Sequence, residues 1–150
     1  MPDVNDRPDA VARPRRLKLA RVDREALSGS RILLRVALDD GQMEHVREAE
    51  GLATPIMELR LAAEAALEAT AGALGEEGWL DLVGVKLLHA FDADVILIAV
   101  RTEDEPGRKL VGAVTCAPED RTRAGVAATL DAVNRVVGPR LDAAGRAGEG

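Results

Sequence analysis

Two histidines, one cysteine and a cluster of acids are the side chains whose chemistry could support a reaction in this chain of 150 residues. His45 and His89 fall on different predicted strands, and neither belongs to a Glu-x-x-His or His-x-x-x-His arrangement of the kind that holds a catalytic metal. Cys116 has no histidine near it in sequence to act as its base, although a helix predicted to start near Asp120 would favour a thiolate. We therefore expect structural roles for these side chains and a protein that is not an enzyme, with no cofactor and no metal site.

The remaining polar motifs are also not expected to form binding sites. Glu103, Asp104 and Glu105 form an acidic turn, which we interpret as solubilising rather than as a cation site. Neither a G-x-x-x-x-G-K-[ST] nor a G-x-G-x-x-G phosphate loop occurs in the chain. A basic stretch over residues 13–21 could contact phosphates, but no aromatic side chain accompanies it, and 20 basic against 26 acidic residues give a net charge of −6. Nucleic acid is therefore not an expected partner.

Composition indicates one soluble globular domain, because 47% of the residues are hydrophobic and 31% are charged. No run of about 18 apolar residues predicts a membrane helix, and the N-terminal residues have no apolar segment typical of a secretory signal. With a single cysteine there is no internal disulfide framework, so we expect a cytoplasmic protein.

Prolines, scattered charge and weak apolar periodicity predict a disordered basic N-terminal tail over residues 1–30, with a short helix over Arg21–Leu27 as the alternative. The Gly-rich residues 138–150 predict a flexible C-terminal tail. Residues 31–137 between them form the predicted single domain.

Apolar periodicity in this domain predicts strands and helices in a repeated order. The expected elements are strands at 31–40 and 42–51, a helix at 55–74, strands at 80–91, 94–101 and 109–116, and a helix from Asp120 to Val137 closed by Gly138-Pro139. Leu67 and Leu130 occupy matching places in the two helices. The predicted fold is α+β, a two-layer α/β sandwich of repeated ββα units with a connecting strand, in which an antiparallel sheet carries two helices on one face.

Two segments carry a resemblance to a known family. The first is Gly51-Leu52-Ala53-Thr54-Pro55-Ile56, which opens the first helix, and the second is Asp92-Ala93 at a hairpin, followed by a helix that ends in Ala132-Val133-Asn134-Arg135. This order resembles the C-terminal regulatory (dimerisation) domain of the 2-isopropylmalate synthase and citramalate synthase family, without the catalytic barrel. The family's loop is typically Gly-x-Gly-Pro-Val-Asp-Ala, of which the second Gly and the Asp are missing here.

That resemblance implies a regulatory domain that pairs with its twin and binds an end-product amino acid at the shared interface. On this chain it implies ligand-binding roles for Gly51, Pro55, Ile56, Asp92 and Ala93.

The apolar pattern of the strands predicts a homodimer independently. Strands 94–101 and 80–91 are aliphatic on both faces, whereas two helices can cover only one face of a sheet. The alternative is that the segment around Leu17, Leu19 and Val22 folds over the uncovered face of its own chain. The sequence thus predicts a non-enzymatic regulatory module that senses a small metabolite or, alternatively, a protein–protein interaction module with the basic tail as a docking arm.

Overall fold

The structure is a computed structural model that describes residues 16–104 and 106–149. Its elements are β1 (Lys18–Leu27), β2 (Arg31–Asp39), β3 (Glu44–Leu52), α1 (Pro55–Leu74), β4 (Leu80–Ala90), β5 (Ala93–Thr102), β6 (Lys109–Cys116), a short 3₁₀ turn (Pro118–Asp120) and α2 (Arg121–Glu149). The strands form two antiparallel sheets of three, in the orders β1-β2-β3 and β4-β5-β6.

Each helix packs on the last two strands of its own sheet and also contacts the first strand of the other sheet. The predicted α+β sandwich is confirmed by this arrangement. The sheet differs from the expectation, because the six strands form two sheets and not one.

The chain consists of two copies of one unit, each with three strands followed by a helix. The predicted connecting strand is β4, the first strand of the second unit, and β1 is its counterpart in the first unit. Leu67 and Leu130 are both buried in the core, as predicted from their matching places.

The central strands β2 and β5 contribute the buried rows of the two sheets, because every second residue of a strand points to the same side of the sheet. The buried rows are Ile32, Leu34, Val36 and Leu38 in β2, and Ile96, Ile98 and Val100 in β5. Both rows face the helices and join one hydrophobic core.

Helix α1 begins and ends at the predicted residues. The Thr54 side chain accepts a hydrogen bond from the Met57 amide at 3.3 Å, and Pro55 follows as the first helical residue. Gly75 ends the helix with φ +68°, a left-handed conformation that a residue without Cβ adopts at little cost.

The two helices lie side by side and run in the same direction. Near their N-termini, a Cβ atom added at Gly125 would lie 3.2 Å from Leu59 Cδ2 and 3.4 Å from Ala62 Cβ. Near their C-terminal halves, Arg140 of α2 forms an ion pair with Glu76, two residues beyond the end of α1. The N-termini of both helices therefore meet at the same end of the molecule.

The predicted N-terminal tail is wrong for residues 18–27, which form β1 and not the alternative helix. The preceding residue, Leu17, is buried, and its backbone is held by one side chain of α2. Its N–H donates to Asn134 Oδ1 at 3.1 Å, and its carbonyl oxygen accepts from Asn134 Nδ2 at 3.2 Å. Residues 1–15 of the predicted tail lie outside the described residues.

The predicted C-terminal tail is also wrong, because α2 continues through Pro139 to Glu149. A proline inside a helix removes one backbone hydrogen bond, so the continuation needs other support. Leu141 is buried, and the Arg140 guanidinium lies 3.8 Å from the centre of the Trp79 ring. These contacts hold the helix beyond the expected stop at Gly138-Pro139.

Candidate functional site

The second sheet turns an aliphatic surface away from the helices. Its outward residues are Val83, Gly84, Lys86 and Leu88 in β4, Val95, Leu97 and Ala99 in β5, and Val111, Ala113 and Thr115 in β6; we call this surface the aliphatic face. Val83, Leu88 and Val111 are 42%, 44% and 53% exposed. Lys86 lies within the face on the edge strand β4, where its long side chain can reach water. A row of charged residues bounds the face beyond Gly84, Ala99 and Val111; its members, which pair across the three strands, are Asp81, Arg101 and Lys109.

The corresponding surface of the first sheet is charged. Its outward residues form the ion pairs Arg21–Glu44 (2.9 Å), Arg31–Glu50 (3.2 Å) and Arg35–Glu48 (2.6 Å), and we call this surface the charged face. Leu52, at the end of β3, is an exposed apolar residue on it. Val46, within β3, is a second exposed apolar residue on this face. The outer sides of the two sheets therefore differ in composition: ion pairs predominate on the first and aliphatic side chains on the second.

Phe91 lies at one end of the aliphatic face, in the two-residue turn that joins β4 to β5. The flanking residues Ala90 and Ala93 pair with each other, and Phe91 and Asp92 take φ values of +54° and +58°. Turns of this geometry favour Asn-Gly, since few side chains adopt positive φ at low cost. Phe91 is nevertheless 98% exposed, in a chain whose aromatic residues are one Phe, one Trp and no Tyr.

Beside this turn lies a cavity of about 410 Å³, which we call the hairpin pocket. It is lined by His89, Asp92, Ala93, Asp94, Thr115, Cys116, Ala117 and Pro118. The side chain of Asp94 is buried and accepts a hydrogen bond from Arg121 Nε at 2.6 Å, while its other oxygen lies 3.4 Å from His89 Nδ1.

The electrostatics of the hairpin pocket keep Asp94 ionised and the thiol protonated. The hydrogen bond from Arg121 lowers the pKa of the Asp94 carboxyl, and this effect outweighs the opposing effect of burial. Burial, together with the nearby negative charge of Asp94, raises the pKa of the Cys116 thiol. The environment of Cys116 therefore disfavours the thiolate that a nucleophilic cysteine requires.

A second cavity, of about 290 Å³, lies where the two helix N-termini meet, and we call it the helix-terminus pocket. Its lining residues are Arg24, Pro55, Glu58, Pro118, Glu119, Arg121 and Thr122. Arg24 Nε pairs with Glu58 Oε1 at 2.9 Å. Cationic and anionic side chains thus border the same small space, together with the positive ends of two helix dipoles.

Three of the five ligand-binding residues implied by the resemblance line these two pockets. Pro55 lines the helix-terminus pocket, and Asp92 and Ala93 line the hairpin pocket; the two pockets share Pro118. Gly51 is buried against Leu61 of α1, where an added Cβ would lie 3.2 Å from that side chain.

Ile56, the fifth of these residues, is exposed at the start of α1 and lines neither pocket.

His45, the other histidine, belongs to a different hairpin. Its Nε2 lies 2.8 Å from Asp40 Oδ2 in the β2–β3 turn, where Asp40 also accepts hydrogen bonds from the amides of Gln42 and Met43. No group of three or more metal-ligating side chains occurs among the described residues.

Sequence reasoning missed one residue of the site and assigned another to both a strand and a turn. Arg121, which borders both Asp94 and the helix-terminus pocket, follows the predicted cap Asp120 and carries no motif. Phe91 ends the predicted strand 80–91 and also begins the turn that the sequence predicts over residues 91–94; in the structure the turn consists of Phe91 and Asp92 alone.

No protein-family model matches the chain, and no curated protein matches it. Within the described residues, no helix is long and apolar enough to span a membrane.

Proposed function

We propose that this protein is a cytoplasmic, non-enzymatic regulatory module that forms a homodimer through the aliphatic face. The observation that carries the proposal is the contrast between this face and the charged face. Both sheets meet the same folding requirement, which is to bury one side against the helices. The aliphatic outer side of the second sheet is therefore not explained by folding alone, whereas a second molecule packed against it would explain it.

A second copy of the chain is the partner that suits this surface. Two sheets pack face to face at about 10 Å with interdigitating aliphatic side chains, and a two-fold axis closes the contact without further growth. The alternative cover, the segment with Leu17, Leu19 and Val22, belongs to β1 and its start in the first sheet. None of the described residues covers the aliphatic face.

The proposal includes a small metabolite, such as an amino acid, as the regulatory ligand. An amino acid carries one positive and one negative group, and the helix-terminus pocket presents Arg24 and Arg121 beside Glu58 and Glu119. The volume of about 290 Å³ suits a small molecule. This site contains Pro55, the first helical residue of the segment that carries the family resemblance.

Val111→Asp tests the dimer directly. The side chain is 53% exposed, so the folded monomer tolerates the change, whereas a carboxylate buried between two aliphatic sheets is costly. Leu52→Asp is the matched control, because Leu52 is 48% exposed at the equivalent edge strand of the charged face. In sedimentation velocity at micromolar concentration, we expect a dimer for the wild-type chain and the control and a monomer for Val111→Asp.

A wild-type chain that sediments as a monomer under these conditions refutes the homodimer. A folded monomer with the same far-UV circular dichroism would favour the interaction module that docks a different protein on the aliphatic face.

The ligand is tested by thermal unfolding with amino acids and keto acids. A ligand present at about 100 times its dissociation constant stabilises the native state by about 2.7 kcal/mol, which raises the Tm of a domain of this size by about 5 °C or more. We expect the Arg121→Gln variant to lose this increase, measured against the variant's own Tm without ligand. If none of the compounds raises the Tm of the wild-type protein, the metabolite-binding part of the proposal is contradicted.

A further inference from the structure

The aliphatic face alone is small for a stable dimer. Even with the charged row of Asp81, Arg101 and Lys109 included, three strands spaced by about 4.8 Å, over about eight residues of 3.4 Å, cover only about 400 Å² per copy. Two such faces bury about 800 Å², which is the size of a crystal contact and less than the roughly 1,200 Å² of a specific interface. An additional contact is therefore needed if the dimer is stable.

Phe91 is the side chain that can supply the missing area. It is 98% exposed and adjoins the Leu88 end of the aliphatic face. An aromatic side chain buries about 150–250 Å², so one from each copy brings the total to about 1,100–1,300 Å². The positive φ of Phe91 is an unfavourable conformation for an aromatic residue, and such positions cluster where function requires them.

The opposite end of the aliphatic face, next to the charged row of Asp81, Arg101 and Lys109, has small side chains that leave a shallow notch. Gly84 pairs with Ala99, and Ala99 pairs with Val111, so two small residues lie side by side on the outer surface. A Cβ atom added at Gly84 would meet nothing within 4 Å. Val83 and Val111, both exposed, border this position.

We infer that Phe91 of each copy packs into the Gly84–Ala99 notch of its partner, an inference that rests on the proposed homodimer. The notch lies about 20–25 Å from Phe91 along the hairpin of the same chain, so the ring cannot reach it within one copy. A two-fold axis perpendicular to the strands superimposes the tip of one sheet on the far end of the other, and it makes both contacts at once. Asp92, next to Phe91, argues against insertion of the tip into an anionic lipid surface.

The first test separates the anchoring role of Phe91 from a structural one. Phe91→Asn introduces the residue that the turn itself favours, so the Tm of the monomer, measured at low protein concentration, is expected to stay the same or to rise. The dissociation constant of the dimer is expected to rise at least tenfold, which corresponds to about 1.4 kcal/mol. If the wild-type protein is dimeric and Phe91→Asn has the same dissociation constant, the proposed role of Phe91 is overturned. The proposed function is then left intact.

The second test locates the contact with a short bismaleimide crosslinker in a Cys116→Ser background. Phe91→Cys combined with Ala99→Cys is expected to give a covalent dimer, because sheets about 10 Å apart are within the reach of the reagent. Phe91→Cys combined with Glu50→Cys, on the charged face, is the matched control and is expected to stay monomeric on a denaturing gel. A covalent dimer from Phe91→Cys alone would show that the two Phe91 turns meet each other, which overturns the contact between Phe91 and the notch. A wild-type protein that is monomeric in solution overturns the proposed dimer itself.

Discussion

The pair of hydrogen bonds between Asn134 and Leu17 predicts a measurable dependence of β1 on one side chain of α2. A primary amide is a side chain that can donate to a carbonyl and accept from an N–H at the same time. Asn134 does both to the same residue, at 3.2 Å and 3.1 Å. Substitution by Ala removes both bonds, whereas substitution by Asp keeps the acceptor and replaces the donor with a negative charge.

The magnitude follows from the cheaper of two responses to Asn134→Ala. If Leu17 stays in place, two part-buried backbone groups lose their partners at a cost of about 1–3 kcal/mol each. If the start of β1 detaches, the chain loses two hydrogen bonds of about 1 kcal/mol each and about 1.5–3 kcal/mol of Leu17 burial, but it regains about 1–2 kcal/mol of backbone entropy per released residue. Detachment is the cheaper response, and we expect a loss of about 2 kcal/mol in the free energy of unfolding.

Urea unfolding and amide hydrogen exchange measure the two parts of this prediction. We expect Asn134→Ala to unfold at lower urea concentration and to exchange the Leu17 amide much faster than wild type. Asn134→Asp is expected to be at least as destabilised, since its carboxylate faces the Leu17 carbonyl. Arg135→Ala, at the exposed neighbouring position, is the control and should change stability by less than about 0.5 kcal/mol. An Asn134→Ala variant with wild-type stability and wild-type exchange at Leu17 would refute the reasoning.

Three further predictions concern the core and its pH dependence. Leu67→Ala and Leu130→Ala should each cost about 2–5 kcal/mol in urea unfolding, and a cost below about 0.5 kcal/mol at either would contradict the matched core positions. Gly112→Ala should prevent or severely weaken folding, measured by circular dichroism, because its Cβ would lie well inside contact distance of the α2 backbone, 2.5 Å from the nitrogen of residue 132. The pKa of Asp94 is lower in the folded state than in the unfolded state, so the stability that its ionised form contributes is present above the unfolded pKa of about 4 and is lost as the pH falls further. The free energy of unfolding of Asp94→Asn should therefore depend less on pH below about 4 than that of wild type, and equal pH profiles would contradict this.

Most of the fold could be predicted because its elements carry strong local patterns. Helix α1 has both of its end signals, Thr54 and Gly75, at the observed residues, and β6 spans the predicted 109–116. The strand β1 could not be recognised, because a bulge between Leu19 and Arg21 breaks the period of two on which strand prediction depends.

The C-terminal half of α2 was missed for a different reason. Gly138-Pro139 is a local stop signal, but contacts distant in sequence override it, chiefly the stacking of Arg140 on Trp79. The division into two sheets was missed because pairing partners between strands are not encoded in the pattern of a single strand.

The candidate site shows the same limit. Asp92 and Ala93 were predicted as binding residues through the family resemblance and do line a pocket, whereas Gly51 was predicted with them and is a packing residue. Arg121 joins the two pockets through contacts made only in the folded chain, so no spacing in the sequence identifies it.

The internal repeat allows the outer surfaces of two units with the same architecture to be compared within one molecule. The fold requires each three-stranded sheet to bury one side against the helices. The inner rows of β2 and β5 both meet this requirement with buried aliphatic residues. The outer rows face the surroundings, and there the two units differ. The first has three ion pairs with Val46 and Leu52 exposed among them, whereas the second has a continuous aliphatic surface that is charged only at Lys86 and at one end. A difference between halves that share one architecture is more informative than exposed apolar area by itself, because the charged half shows that the architecture does not require an apolar outer surface. The aliphatic face is therefore where the search for a partner molecule should start.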